Sequence, residues 1–78
     1  SPEESLIRKL EQARIDQAID GLPPAFREVI ILREMEEMSY EQISQVAGIP
    51  VGTVMSRLAR ARALLRRALV ESEGKEQE

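Results

Sequence analysis

The run Gly48-Ile49-Pro50-Val51-Gly52-Thr53-Val54-Met55-Ser56-Arg57-Leu58-Ala59-Arg60-Ala61-Arg62 decides how this chain is read. Val54, Leu58, Ala61, Leu65 and Leu69 recur every three or four residues, which is the apolar stripe of an α-helix. Thr53, Ser56, Arg60 and Arg67 fall opposite that stripe, giving the helix a polar, cationic outer side. Arg57, Arg62 and Arg66 add to the charge, and no acid lies between Pro50 and Val70. A positive helix on a small domain is the electrostatic footprint of a nucleic-acid reader. Taken alone, it reads equally well as a solvated amphipathic helix that is rich in arginine.

The residues just before it break that tie. Ser39 followed three positions later by Gln42 is a capping-box pattern, which opens a helix at Tyr40. Ile43, Val46 and Ala47 supply a short apolar face. Gly48 fits the left-handed position that closes a helix, and Pro50 suits the first turn of the next one. A short helix of about two turns, a tight glycine turn and an arginine-bearing second helix make a helix-turn-helix. In that motif the second helix enters the major groove with its N-terminal residues on base edges.

Several short strings carry a resemblance to a known family. Leu22-Pro23, Arg27-Glu28-Val29, Ser39-Tyr40-Glu41, Gly48-Ile49-Pro50, Gly52-Thr53-Val54 and Ser56-Arg57-Leu58 with Arg60-Ala61-Arg62 occur in order and at the right spacing. Together they resemble region 4 of extracytoplasmic-function sigma factors, small members of the bacterial sigma-70 family, over roughly Ile15 to Leu69. The resemblance implies recognition of the promoter −35 element while bound to the β-subunit flap of RNA polymerase. It also implies an anti-sigma factor as partner. The chain departs from the family at four places. Glu37 stands where glycine is usual, Ser44 where alanine is usual, Met55 where Lys or Arg is common, and Ala59 where a larger side chain packs on DNA.

Composition bounds the alternatives. Seventy-eight residues allow one domain with a partly buried surface. Cysteine and histidine are both absent, which removes disulfides, thiolate metal sites and the commonest general base. The acidic pairs Glu3-Glu4, Glu36-Glu37 and Asp16/Asp20 read as solvated surface, and no Gly-rich phosphate loop is present, so no catalytic residue, metal or cofactor is expected. The chain reads as soluble and cytoplasmic, with no apolar run as long as a membrane span. Its net charge of −3 is unevenly spread: residues 1–49 carry −5, residues 50–70 carry +5 and residues 71–78 carry −3. Screening over about 8–10 Å makes the local charge count most, so an acidic average does not exclude DNA.

Along the chain, residues 1–5 read as a linker remnant, 6–70 as the sigma region 4-like domain and 71–78 as an acidic, disordered tail. The fold is expected to be all-α: four helices with a C-terminal helix-turn-helix, no sheet, and monomeric. The first helix runs to about Asp20, with Leu6, Leu10, Ala13 or Arg14, Ile15, Ala18, Ile19 and Leu22 on its core side. Gly21-Leu22-Pro23-Pro24 breaks it, leaving Leu22 and Pro23 extended. The second helix runs from Ala25 to about Glu36 with Phe26 as core anchor, and the fourth from about Val51 to Val70. Ser44, if buried, bonds back to the Tyr40 carbonyl.

The expected DNA-facing set is Pro50, Gly52, Thr53, Met55, Ser56, Arg57, Ala59 and Arg60. Pro50, Gly52 and Thr53 lie where free backbone N–H groups meet a phosphate. Ser56 and Arg60 share the outward face and reach base edges, whereas Arg57 reads as a phosphate clamp or an intradomain pair. Met55 offers apolar contact alone, such as with a thymine methyl. Ile7, Ile31, Met35 and Met38 look surplus to one core stripe and are candidates for a partner surface. Two rivals stand beside this reading: a sigma-like module that binds an anti-sigma factor without touching DNA, and the helix-turn-helix of a response regulator, which binds as a dimer.

Overall fold

The computed structural model describes residues 1–77, with side chains described through Gly74. Helix α1 spans Pro2–Asp20, α2 Pro24–Ile30, α3 Tyr40–Ala47 and α4 Val51–Gln77. One π-helical turn, Ile31–Met35, continues α2. No strand occurs among the described residues, in line with the all-α expectation. At about 1.5 Å per residue, α4 alone accounts for the 42 Å long axis of the molecule.

Local chemistry sets most of the boundaries. Ser1 accepts a bond from the Glu4 N–H and Pro2 occupies the first turn, so α1 starts inside the expected linker. Pro23 is extended at φ −54° and ψ 147°, and the Phe26 and Arg27 amides bond to its carbonyl to begin α2 at Pro24. At α3 both halves of the capping box are present, Gln42 N–H to Ser39 Oγ and Ser39 N–H to Gln42 Oε1. Gly48 closes α3 at φ 70°. Helix α4 does not stop at Val70 but continues to Gln77, with Arg14 of α1 reaching Glu73 at 3.2 Å. Glu78 and the side chains of 75–77, part of the expected acidic tail, lie outside the described residues.

The core is a single cluster of Ile19, Leu22, Val29, Ile30, Ile43, Val54, Leu58 and Ala61. Every helix contributes, and α4 packs against all of the others. Val54, Leu58 and Ala61 of the expected α4 stripe are fully buried, while Leu65 and Leu69 are half-buried. Phe26 is half-buried against the cluster, so it supports the core from its rim and Val29 and Ile30 anchor it.

Two apolar faces are corrected. Leu6 and Leu10 are 58% and 61% exposed, so among the described residues nothing covers them. Val46 is 61% exposed, and Ile43 with Tyr40 beside it makes the contact of α3 with the core. Periodicity marks a face, whereas burial needs a neighbour opposite it.

The passage from α2 to α3 is wider than an ordinary helix end. The Glu36 amide bonds to the Ile31 carbonyl and the Met38 amide to the Leu32 carbonyl, each at 3.1 Å. Glu37 then takes a left-handed conformation at φ 55°, the strained alternative for a side chain that is not glycine. Arg33 braces this corner. Its Nη1 donates to the Met38 carbonyl at 2.7 Å and its guanidinium sits 5.1 Å from the centroid of the Tyr40 ring.

Candidate nucleic-acid interface

The turn between α3 and α4 is held from both directions by one pair of residues. The Ile49 amide donates to the Ser44 carbonyl at 3.1 Å, and the Ser44 hydroxyl donates to the Ile49 carbonyl. The serine therefore bonds forward across the turn instead of back to Tyr40. The Thr53 and Val54 amides both reach the Pro50 carbonyl at 3.0 Å, which starts α4 at Val51 with Pro50 just outside it.

Beyond that turn, Pro50, Gly52, Met55, Ser56, Ala59 and Arg60 are exposed, and Thr53 and Arg57 are half-buried. Eight residues expected to act together thus lie along one short stretch, the first ten residues of α4 and the proline before it. Thr53 is the one outward-face residue drawn partly inward. Space for a Cβ at Gly52 is open, with nothing within 4 Å, so the fold itself does not require glycine there. The Ser56 hydroxyl donates to the Thr53 carbonyl at 3.1 Å, which leaves its oxygen lone pairs facing outward.

The arginines divide into two groups. Arg62 pairs with Glu34 at 3.1 Å, tying α4 to the π-helical turn. The Glu34 carboxylate, and after it the Tyr40 hydroxyl, raise the Arg62 pKa above its ordinary value, against a small opposing effect of burial. Arg57, Arg60, Arg66 and Arg67 make no hydrogen bond or ion pair with another described residue. Four cations along one helix, without partners among the described residues, are available to an external anion.

The candidate partner surface separates as well. Ile7 and Met35 are 55% and 48% exposed. Ile31 and Met38 instead pack against the core, because the π-helical turn and the Glu37 corner swing them inward. Sequence reasoning named neither Arg33 as a brace nor Glu34 as the partner of Arg62. Neither has a local signal, since each depends on how the turns bring separate helices together.

Together these features define a helix-turn-helix domain with a cationic second helix. The chain belongs to the family described as Sigma-70, region 4, whose model matches residues 12–65. It is 45% identical over 69 residues to an RNA polymerase sigma-H factor of Pseudomonas aeruginosa, covering 88% of this chain and 36% of that protein. It is 44% identical over 54 residues to the ECF RNA polymerase sigma factor SigE of Mycolicibacterium smegmatis, covering 69% and 21% respectively. With the ECF RNA polymerase sigma factor SigW of Bacillus subtilis the identity is 38% over 68 residues, covering 87% and 36%. The chain spans about a third or less of the length of these relatives.

Proposed function

We propose that this chain is the promoter-reading part of a sigma factor, binding the −35 element of promoter DNA during transcription initiation. The observation that carries the reading is Arg60, exposed and without an intramolecular partner, one turn from Ser56 on the helix that follows the turn. Membership of the region 4 family supplies the class of ligand. Arginine on the outer face of such a helix suits the O6 and N7 acceptors of guanine in the major groove. Pro50, Gly52 and Thr53 approach the phosphate backbone, Arg57 clamps it, and Met55, Ser56, Ala59 and Arg60 face the bases.

RNA polymerase core, through its β-subunit flap, is the partner that positions the domain, and an anti-sigma factor is a second partner. The exposed Ile7 and Met35 support a protein-binding surface away from the cationic face of α4. The domain acts as a monomer in the cytoplasm, without catalysis or cofactor. Among the described residues no helix is long and apolar enough to cross a membrane.

The test is fluorescence anisotropy with labelled promoter duplexes at two salt concentrations, for the parent chain and Arg60→Ala. Sequence-preferring binding that weakens with salt, and by about 1–3 kcal/mol in the variant, supports the reading. Equal binding by both chains to every duplex refutes it.

A further inference from the structure

The N-terminal half of α4 carries a second kind of group among its cations. Met55 is 54% exposed and Ala59 is exposed, four residues apart and hence on one side of the helix. The fold does not use either side chain, since Val54, Leu58 and Ala61 supply the burial on this helix. Ala59 has no hydrogen-bonding group, and Met55 has only a weakly accepting thioether sulfur. On the base edges of the major groove the one apolar group is the thymine C5-methyl.

Ser56, next to Met55 and also exposed, adds a polar group beside this strip. With its hydroxyl hydrogen committed to the Thr53 carbonyl, it presents an acceptor. In the major groove the donors are adenine N6 and cytosine N4. Only an A·T pair offers both a donor to Ser56 and a methyl to Met55. Four helical residues rise about 6 Å, close to two base steps of about 3.4 Å, so Met55 and Ala59 reach pairs two steps apart.

We propose that Met55 and Ala59 form a methyl-reading strip that selects thymine at two positions of the bound duplex two base steps apart, with Ser56 accepting from the adenine opposite the thymine that meets Met55. The proposal rests on α4 being the groove-entering helix. Met55, unbranched and polarizable, adapts to the methyl it meets, and the smaller Ala59 allows close approach of the second. Selectivity at these positions is therefore apolar, and it is less sensitive to salt than the contacts of Arg57 and Arg60.

The experiment uses the 78-residue chain and a duplex selected by it from a randomised pool. Each thymine is replaced singly by deoxyuridine, which lacks only the methyl group, and anisotropy is read for the parent, Met55→Ala and Arg60→Ala. Two positions, two base steps apart, are expected at which methyl removal weakens parent binding about fourfold, the worth of one buried methyl. At one of them the difference should vanish in Met55→Ala. Met55 is exposed, so that variant keeps the fold. If no deoxyuridine changes binding twofold while Arg60→Ala still weakens it, the strip is refuted and promoter reading stands. Methyl dependence that persists at every one of these positions in Met55→Ala also refutes it. Failure to select any duplex refutes both readings.

Discussion

Ser44 and Ile49 exchange hydrogen bonds across the turn that joins α3 to α4, amide to carbonyl in one direction and hydroxyl to carbonyl in the other. The angle at which α4 leaves the domain is therefore held by a side chain as well as by the backbone of Gly48. Ser44→Ala removes one half of this clamp, worth about 0.5–1.5 kcal/mol, and returns a few tenths through the better helix propensity of alanine. A net loss of roughly 0.5–1 kcal/mol is expected in urea denaturation. An alanine variant as stable as the parent would show that the hydroxyl contributes nothing to the turn.

Glu37 is the one non-glycine residue at positive φ among those described, and its corner is braced by Arg33. Left-handed backbone costs a side chain about 1–2 kcal/mol, of which the greater unfolded-state freedom of glycine returns about 0.5–1. Glu37→Gly should raise stability by roughly 0.5–1 kcal/mol in thermal or urea unfolding. Arg33→Ala should lower it, and the two changes should be non-additive because they act on one corner. Strict additivity would mean that Arg33 does not hold the strained residue in place.

Gly52 separates folding from binding. A Cβ there meets nothing in the domain, so Gly52→Ala should stabilise α4 by up to about 1 kcal/mol. On the proposed contact the same methyl stands between the backbone and a phosphate, and duplex affinity should fall. Raised melting temperature with weakened binding is the expected pair of results. Unchanged binding would place the phosphate elsewhere.

Arg60 and Arg62, two residues apart, should behave oppositely. Arg62 is tied to Glu34, a half-exposed pair worth about 0.2–1 kcal/mol, so Arg62→Ala should cost a little stability and leave duplex affinity nearly intact. Arg60→Ala should leave stability unchanged and weaken binding. A double-mutant cycle on Glu34 and Arg62 measures the pair directly. High salt should reduce its coupling energy.

What the sequence made legible was local. The capping box at Ser39 and Gln42, the left-handed Gly48 and the proline breaks follow from rules that act within a few residues, and all appear in the structure. The stretch from Pro50 to Arg60 was equally legible, since its face is set by the helical period alone. The rest needed distant neighbours. Leu6 and Leu10 have the spacing of a core face, and among the described residues nothing covers them. Ile31 and Met38 look as surplus as Met35 until the π-helical turn directs them inward, and no composition signal announces that turn. The partner of Arg62 lies 28 residues earlier in the chain, beyond the reach of any spacing rule.

The central claim is that the exposed side of the first turns of α4 meets the promoter duplex, and amide-resolved NMR titration tests it most directly. Adding a −35 duplex to the labelled chain should shift the Gly52, Thr53, Met55, Ser56 and Arg60 signals first and furthest, while Ile7 and Met35 stay near their free positions. Shifts centred on Ile7 and Met35, with the α4 signals unmoved, would contradict it.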